Sequence, residues 1–197
     1  MPVSLDGTSV EIDGVAAPVC YISPSQVNFQ VPEGITEGAG VLQVFAAAGP
    51  SPPIAVTIDD AQPAFFYLPL NGRNWLRAQH ADYSPIGQPD VMPGPPPATP
   101  ARPGETILLW GSGFGQTSPP IVPGLLLAAP APLADEYGIT VTIGGEVAQV
   151  QYAGMAIAGV YQINVTLPGD LADGIYDVTA AVGGLQTKME TVLPVQR

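Results

Sequence analysis

The residues able to do chemistry in this chain are few and scattered. It has one histidine, His80, and one cysteine, Cys20. A catalytic nucleophile needs a base beside it and a third group to orient that base. Along the chain neither residue has such neighbours in a recognisable motif. Cys20 lies in the apolar stretch Pro18-Val-Cys-Tyr-Ile22, which predicts a buried, inert thiol. A single cysteine also excludes an internal disulfide and a cysteine-rich zinc site. Asp59-Asp60 and Asp135-Glu136 are adjacent acids. Carboxylates that cleave a glycosidic bond flank it at a set separation, whereas neighbours along a strand point to opposite faces, so these pairs read as turn or surface acids. Asp6, Asp13, Asp170 and Asp173 lie beside glycines or in loops without EF-hand spacing, and no metal site is expected. Gly111-Ser-Gly-Phe-Gly115 is glycine-rich but has no lysine and no helical continuation, which argues against a phosphate cradle. What remains is aromatic. Trp75, Tyr83 and Trp110 are the candidate binding residues, able to form a platform for a sugar ring. The chain reads as a non-enzyme, with no catalytic residue and no cofactor.

The balance of charge narrows the partners. Five Lys and Arg stand against 17 Asp and Glu, a net charge of −12. Residues 1–63 hold seven acids and no Lys or Arg, and three of the five cations (Arg73, Arg77 and Arg102) lie between 64 and 103. A surface that tracks phosphates needs clustered cations, so nucleic acid and anionic membranes are excluded as partners. The acids read as a solvated, soluble face. No basic-then-apolar segment opens the chain, and its longest apolar run, near residues 124–132, is broken by proline, so no membrane insertion is expected.

These residues must be positioned by short strands. Only 11% of residues are charged, 46% are apolar, and 24 prolines and 23 glycines punctuate the 197. Such an alphabet does not write long helices with charged outer faces. The chain also repeats itself. Val10-Glu-Ile-Asp-Gly-Val-Ala-Ala-Pro-Val-Cys-Tyr21 is matched by Val141-Thr-Ile-Gly-Gly-Glu-Val-Ala-Gln-Val-Gln-Tyr152. Gln26-Val-Asn-Phe-Gln-Val-Pro32 is matched by Gln162-Ile-Asn-Val-Thr-Leu-Pro168. In both, apolar and polar residues alternate with period two: Val27, Phe29 and Val31 on one face, then Ile163, Val165 and Leu167. The recurring amides Gln26, Asn28, Gln162 and Asn164 are expected to satisfy loop backbone groups. The second copy opens with an extra strand pattern, Thr106-Ile-Leu-Leu-Trp110, which the first copy lacks. Regular short strands between Asp-Gly and Gly-Gly turns predict β-sandwiches.

The pattern Gly104-x-x-Ile-x-Leu-x-Gly-x-Gly-Phe-Gly115, as the second copy approximates it, resembles the opening of IPT/TIG domains, which are immunoglobulin-like sandwiches. More widely, Gly14-Val-Ala-Ala-Pro18, then Tyr21-Ile-Ser-Pro-Ser-Gln-Val-Asn-Phe-Gln-Val-Pro32, then Ala101-Arg-Pro-Gly-Glu-Thr106 resemble the uncharacterised C-terminal domain of secreted acidobacterial (Solibacter-type) proteins. The resemblance covers essentially the whole chain. It implies export, a place at the end of larger polypeptides, an extracellular or cell-surface location, and no catalytic residues.

The expected organisation is therefore all-β, with tandem immunoglobulin-like (IPT/TIG-like) β-sandwiches. Residues 1–63 form an incomplete first sandwich lacking its opening strand. Residues 64–103 form a Pro-rich linker with a β-hairpin around Asn71-Gly72, and residues 104–197 form the second sandwich. Leu108 and Trp110 are expected to pack on the hairpin or on the first copy. The expected function is a non-enzymatic module for adhesion, spacing or protein–protein interaction at the C-terminus of a larger exported protein. The alternative is a carbohydrate-binding accessory module, with a polysaccharide as partner. The missing strand predicts an open edge near residues 10–12 or in the opposite sheet, inviting strand exchange or a homo-oligomer.

Overall fold

The computed structural model describes residues 1–92 and 94–197. Pro93, at the head of the expected stiff run of prolines, lies outside the described residues, as does the side chain of Glu136 from the adjacent-acid pair. The protein is all-β and built from several sheets. Among the described residues the one helical piece is a 3₁₀ turn at Asp135–Tyr137, and no helix is long and apolar enough to cross a membrane. The chain divides into two compact units. The first is Met1–Asp60 with Pro120–Ala129 and Ile157–Gly159; the second is Ala61–Pro119, Pro130–Ala156 and Val160–Arg197.

The first unit holds β1 (Ser4–Leu5), β2 (Thr8–Ile12), β3 (Val15–Ala16), β4 (Val19–Ser23), β5 (Gln26–Phe29), β6 (Gly38–Ala46), β7 (Gly49–Pro50) and β8 (Ile54–Ile58). One sheet runs β1-β2-β6-β7, with β3 on β2 and β8 on β6; β4 and β5 form a separate pair. The hairpins turn where the sequence supplies Asp-Gly. Asp6 and Gly7 take φ of 46° and 74°, and Asp13 and Gly14 take 49° and 79°. Two successive left-handed residues suit the twist of a tight hairpin, and Asp and Gly tolerate them. The core is small. Val10, Ala17 and Val19 are fully buried, with Leu5, Ile22, Val27, Phe29, Leu42 and Val44 partly buried around them.

The second unit holds β9 (Ala64–Phe65), β10 (Tyr67–Leu70), β11 (Arg73–Leu76), β12 (Ala78–Gln79), β13 (Thr106–Ser112), β14 (Ala131–Pro132), β15 (Ile139–Ile143), β16 (Glu146–Ile157), β17 (Val160–Thr166), β18 (Gly174–Val182), β19 (Leu185–Gln186) and β20 (Thr191–Val195). Nine of these strands follow one path, β10-β11-β20-β18-β15-β16-β17-β13-β12, which curls into a nearly closed barrel, with β9 on β13, β14 on β16 and β19 on β18. The long β16 makes this possible: its first residues pair with β15, and its later ones lie beside β14 and β17. The alternation read in the sequence has its physical counterpart here. Ile163, Val165 and Leu167 are buried, and they meet Ile107, Leu109, Val141, Ile143, Val178 and Leu193 in one core.

Residues 64–103 contribute four strands to this unit. β10 and β11 pair around Asn71-Gly72, whose φ values are 53° and 73°. β11 then pairs in parallel with β20, and β12 pairs with β13. On the face of β13 opposite Ile107 and Leu109, which are 0% exposed, Leu108 is also buried at 5% and Trp110 is half-buried. Where β13 ends, Gly113 has φ of 73°, and a Cβ there would run into the carbonyl oxygen of Gln62. Only glycine fits that turn.

Candidate functional site

The three aromatic residues do not form one exposed platform. Trp75 is buried, its indole N–H donates to the carbonyl of Leu70 at 3.1 Å, and the guanidinium of Arg73 sits 6.0 Å from the ring centroid. Trp110 is half-buried, with its N–H held by the side-chain carbonyl of Gln79 at 2.8 Å. Tyr83 is 60% exposed, and its backbone carbonyl takes a bond from the amide of the same Gln79 at 2.6 Å. The packing of Leu108 and Trp110 thus takes place on the segment that carries β12.

A polar cluster that the sequence does not announce lies beside Tyr83. His80, Asp82, Ser84, Thr99, Arg102, Glu105 and Arg197 are among the residues lining an open depression of about 660 Å³ in the second unit. His80 Nδ1 is 2.5 Å from Glu105 Oε1, and its Nε2 is 2.9 Å from Thr99 Oγ1. An ionised carboxylate only accepts, so Nδ1 donates to Glu105, and in the neutral tautomer that this fixes, Nε2 is the acceptor that faces the Thr99 hydroxyl. A hydroxyl, an imidazole and a carboxylate stand in one row, the order of a nucleophile, a base and its orienting group. The flanking backbone does not complete such a site. The N–H of Thr99 donates to Pro85 O, and the next residue, Pro100, has none. Glu105 also accepts the N–H of Arg102 on its other oxygen, at 2.9 Å. His80 therefore fastens the segment after β12 and the returning chain at Thr99 to the start of β13. Near it, Asp82 is held below the ordinary carboxylate range, first by the Ser84 hydroxyl and then by the Ser84 N–H.

The remaining candidates have defined structural roles. Asp13 accepts the N–H of Val41 at 2.8 Å, and Asp173 accepts that of Arg197 at 2.9 Å. The Arg197 guanidinium is taken up by the carbonyls of Leu171 and Asp170. Glu37 is pushed above the ordinary carboxylate range, chiefly by a hydrogen bond with Asp60 and by the charge of that residue. The recurring amides do not serve loop backbone; they bond to each other. Gln26 donates to Asn28 at 2.6 Å and Gln162 to Asn164 at 2.8 Å. The expectation for Cys20 is overturned: its thiol is exposed. In β4 the buried residue is Val19, and the next residue necessarily points away from the core. The Cys20 thiol reaches only the carbonyl of Asn28, 3.4 Å away.

No family model matches this chain, and no curated protein is similar to it.

The first unit presents a different kind of surface. Its β2 is paired at both edges, with β6 on one side and with β1 and β3 on the other, so residues 10–12 leave no open edge. Other edges are open: among the described residues β8 pairs only with β6, and β4 and β5 pair only with each other. Elsewhere the unit exposes large apolar side chains: Tyr21 on β4, Val31 just past β5, Val41 on β6 and Ile54 on β8, and Val122, Leu125 and Leu126 on its segment Pro120–Ala129.

Proposed function

We propose that this chain is a non-catalytic interaction module: two immunoglobulin-like sandwiches of the IPT/TIG type, the first without its opening strand. It works outside the cell at the end of a larger exported polypeptide. The observation that carries this reading is the surface of the first unit. Its buried core cluster is Val10, Ala17 and Val19, with Ile12 also buried, while Tyr21, Val31, Val41, Ile54, Leu125 and Leu126 are exposed. Apolar surface left exposed beside a small core marks a place where another protein binds. The likeness to secreted acidobacterial C-terminal domains supports export, and the matched β5 and β17 segments support two sandwiches of one kind. Immunoglobulin-like folds host many roles, so the role is argued from the surface and not from the fold.

The test is a selection of displayed random peptides on the pure protein, run beside a glycan array and a panel of ester, peptide and glycoside substrates. Enrichment of extended aliphatic peptides that bind saturably supports the module. Saturable binding of an oligosaccharide, lost in Trp110→Ala and with no peptide enriched, replaces it by the carbohydrate-binding alternative. Turnover that disappears in His80→Ala would make the Thr99–His80–Glu105 row a catalytic site and overturn the non-catalytic reading.

A further inference from the structure

The matched strands β5 and β17 differ in their adjoining strands: β5 has β4 alone among the described residues, whereas β17 has one on either side. β17 lies between β16 and β13, and six residue pairs join it to β13, from Thr106↔Thr166 to Gly111↔Tyr161. Its inward side chains are closed off from water: Ile163 and Val165 are 0% exposed, and Leu167, just past its end, is 2% exposed. The matched residues of the first copy are Val27, Phe29 and Val31. They follow the same alternation and the same turn into proline, but Val27 and Phe29 are only half-buried and Val31 is 53% exposed. The amide pair on the other face is the same in both, Gln26 with Asn28 and Gln162 with Asn164. The strands share their alternation and their amide pair, and β5 has no strand in the place that β13 takes beside β17.

From this difference we infer that the outer edge of β5 is a strand-acceptor site. Its occupant is an extended segment of another protein, uncharged and aliphatic at alternate positions, which pairs antiparallel to β5 as β13 pairs with β17. Transferring that register places residues of the incoming strand opposite Gln30, Phe29, Asn28, Val27 and Gln26 in turn. Main-chain hydrogen bonds give such a site its affinity, and alternate side chains give it selectivity. The incoming aliphatic side chains would complete the cover over Val27, Phe29 and Val31. Two further features shape the site. Gln30 accepts the N–H of Gly124 at 2.6 Å and lies against Gly159, so the segments Pro120–Ala129 and Ile157–Gly159 hold the end of the strand without pairing with it. Residues 1–60 carry seven acids and no Lys or Arg, so cations flanking the strand speed its arrival.

This inference rests on the interaction-module reading and narrows it to one edge. The probe is a fluorescent peptide of residues 104–112 of this chain with two lysines added at each end. Binding is followed by anisotropy, and its place by amide hydrogen exchange. The expected result is saturable binding that slows exchange within residues 26–30 at least tenfold and leaves residues 160–166 unchanged. A peptide N-methylated at alternate amides should bind at least tenfold more weakly, which needs no change in the protein. Val31→Asp puts a charge where Leu167 is buried in the other copy; it should abolish binding and melt at the wild-type temperature. Protection in the free protein of those amides of 26–30 that do not bond toward β4 (Gln30 N–H already donates to Pro18 O) would overturn the proposal, because the outer edge is then covered. Self-association that protects 26–30 without peptide binding would overturn it in favour of a second copy. Peptides that bind elsewhere would sink the β5 site and leave the interaction module standing, whereas sugar binding with no peptide binding would sink the module itself.

Discussion

Gln162 donates its side-chain amide to Oδ1 of Asn164 at 2.8 Å, and 136 residues earlier Gln26 makes the same bond to Asn28 at 2.6 Å. Residues two apart on a strand share a face, so a Gln-x-Asn spacing can satisfy two amides with each other while the residue between them faces the core. This is why Val27 and Ile163 sit between polar neighbours without burying an unpaired group. The pairing is local to the strand and does not need a partner sheet. It survives in β5, where the adjoining strand is missing.

The amide pair makes a prediction about stability. Asn164 is half-buried, so Asn164→Ala removes a bond from a partly dry site and should cost about 1 kcal/mol. Asn28 is exposed, and Asn28→Ala should cost no more than about 0.5 kcal/mol. Urea unfolding of the two variants, fitted for the unit each reports on, checks the order. Equal costs would mean that burial does not set the value of this bond.

A sharper contrast is expected one turn of the pattern later. Leu167 is 2% exposed and packs in the core of the second unit, so Leu167→Ala should cost about 2–5 kcal/mol. Val31 occupies the matching place in the first copy but is 53% exposed, so Val31→Ala should stay within about 0.5 kcal/mol. Thermal melts separate these outcomes easily. A large loss in Val31→Ala would show that the edge of β5 is covered in solution.

Much of this fold is legible in the chain because its signals are local. Period-two alternation marks β5 and β17, and Asn71-Gly72 marks the hairpin that the structure forms there. What escapes reading is what depends on distant chain. Thr99 and Glu105 lie 19 and 25 residues from His80, on segments with no common motif, and only the docking of β12 on β13 brings them together. Pro120–Ala129 sits inside the second copy in sequence yet belongs to the first unit, through bonds such as Gly124 N–H to Gln30. Cys20 misleads for a subtler reason. Its neighbours Val19 and Ile22 are apolar and turned toward a core, but β4 has only one covered face, and Cys20 falls on the other.

The His80 row predicts a mechanical role with its own readout. His80→Ala removes two hydrogen bonds and leaves the Glu105 carboxylate with the Arg102 N–H, so a loss of about 1–3 kcal/mol is expected. Because the imidazole fastens the chain at Thr99 to the start of β13, hydrogen exchange should quicken first in residues 84–99. Uniform quickening over the whole second unit would show that His80 supports the core and not this one segment.

Alkaline pH tests the interior of the second unit. Tyr161 is 5% exposed, lies tilted against Phe114 with ring centroids 5.7 Å apart, and donates its hydroxyl to the carbonyl of Gly115. Burial, with a smaller contribution from Tyr137, pushes its phenol up to about 12, against about 10 in an unfolded chain. A group whose folded value is raised holds its proton more tightly when folded. Its contribution to stability is fully present below about pH 10 and is lost as pH rises through the folded value near 12. Two pH units correspond to roughly 3 kcal/mol. Burial also raises Tyr152, which acts in the same direction, so the informative quantity is the difference between wild type and Tyr161→Phe. The variant should be less stable at neutral pH by about 1 kcal/mol, from the lost bond to Gly115, and should lose less stability than wild type between pH 10 and 12. Parallel stability curves for the two proteins across that window would mean that the Tyr161 hydroxyl reaches water.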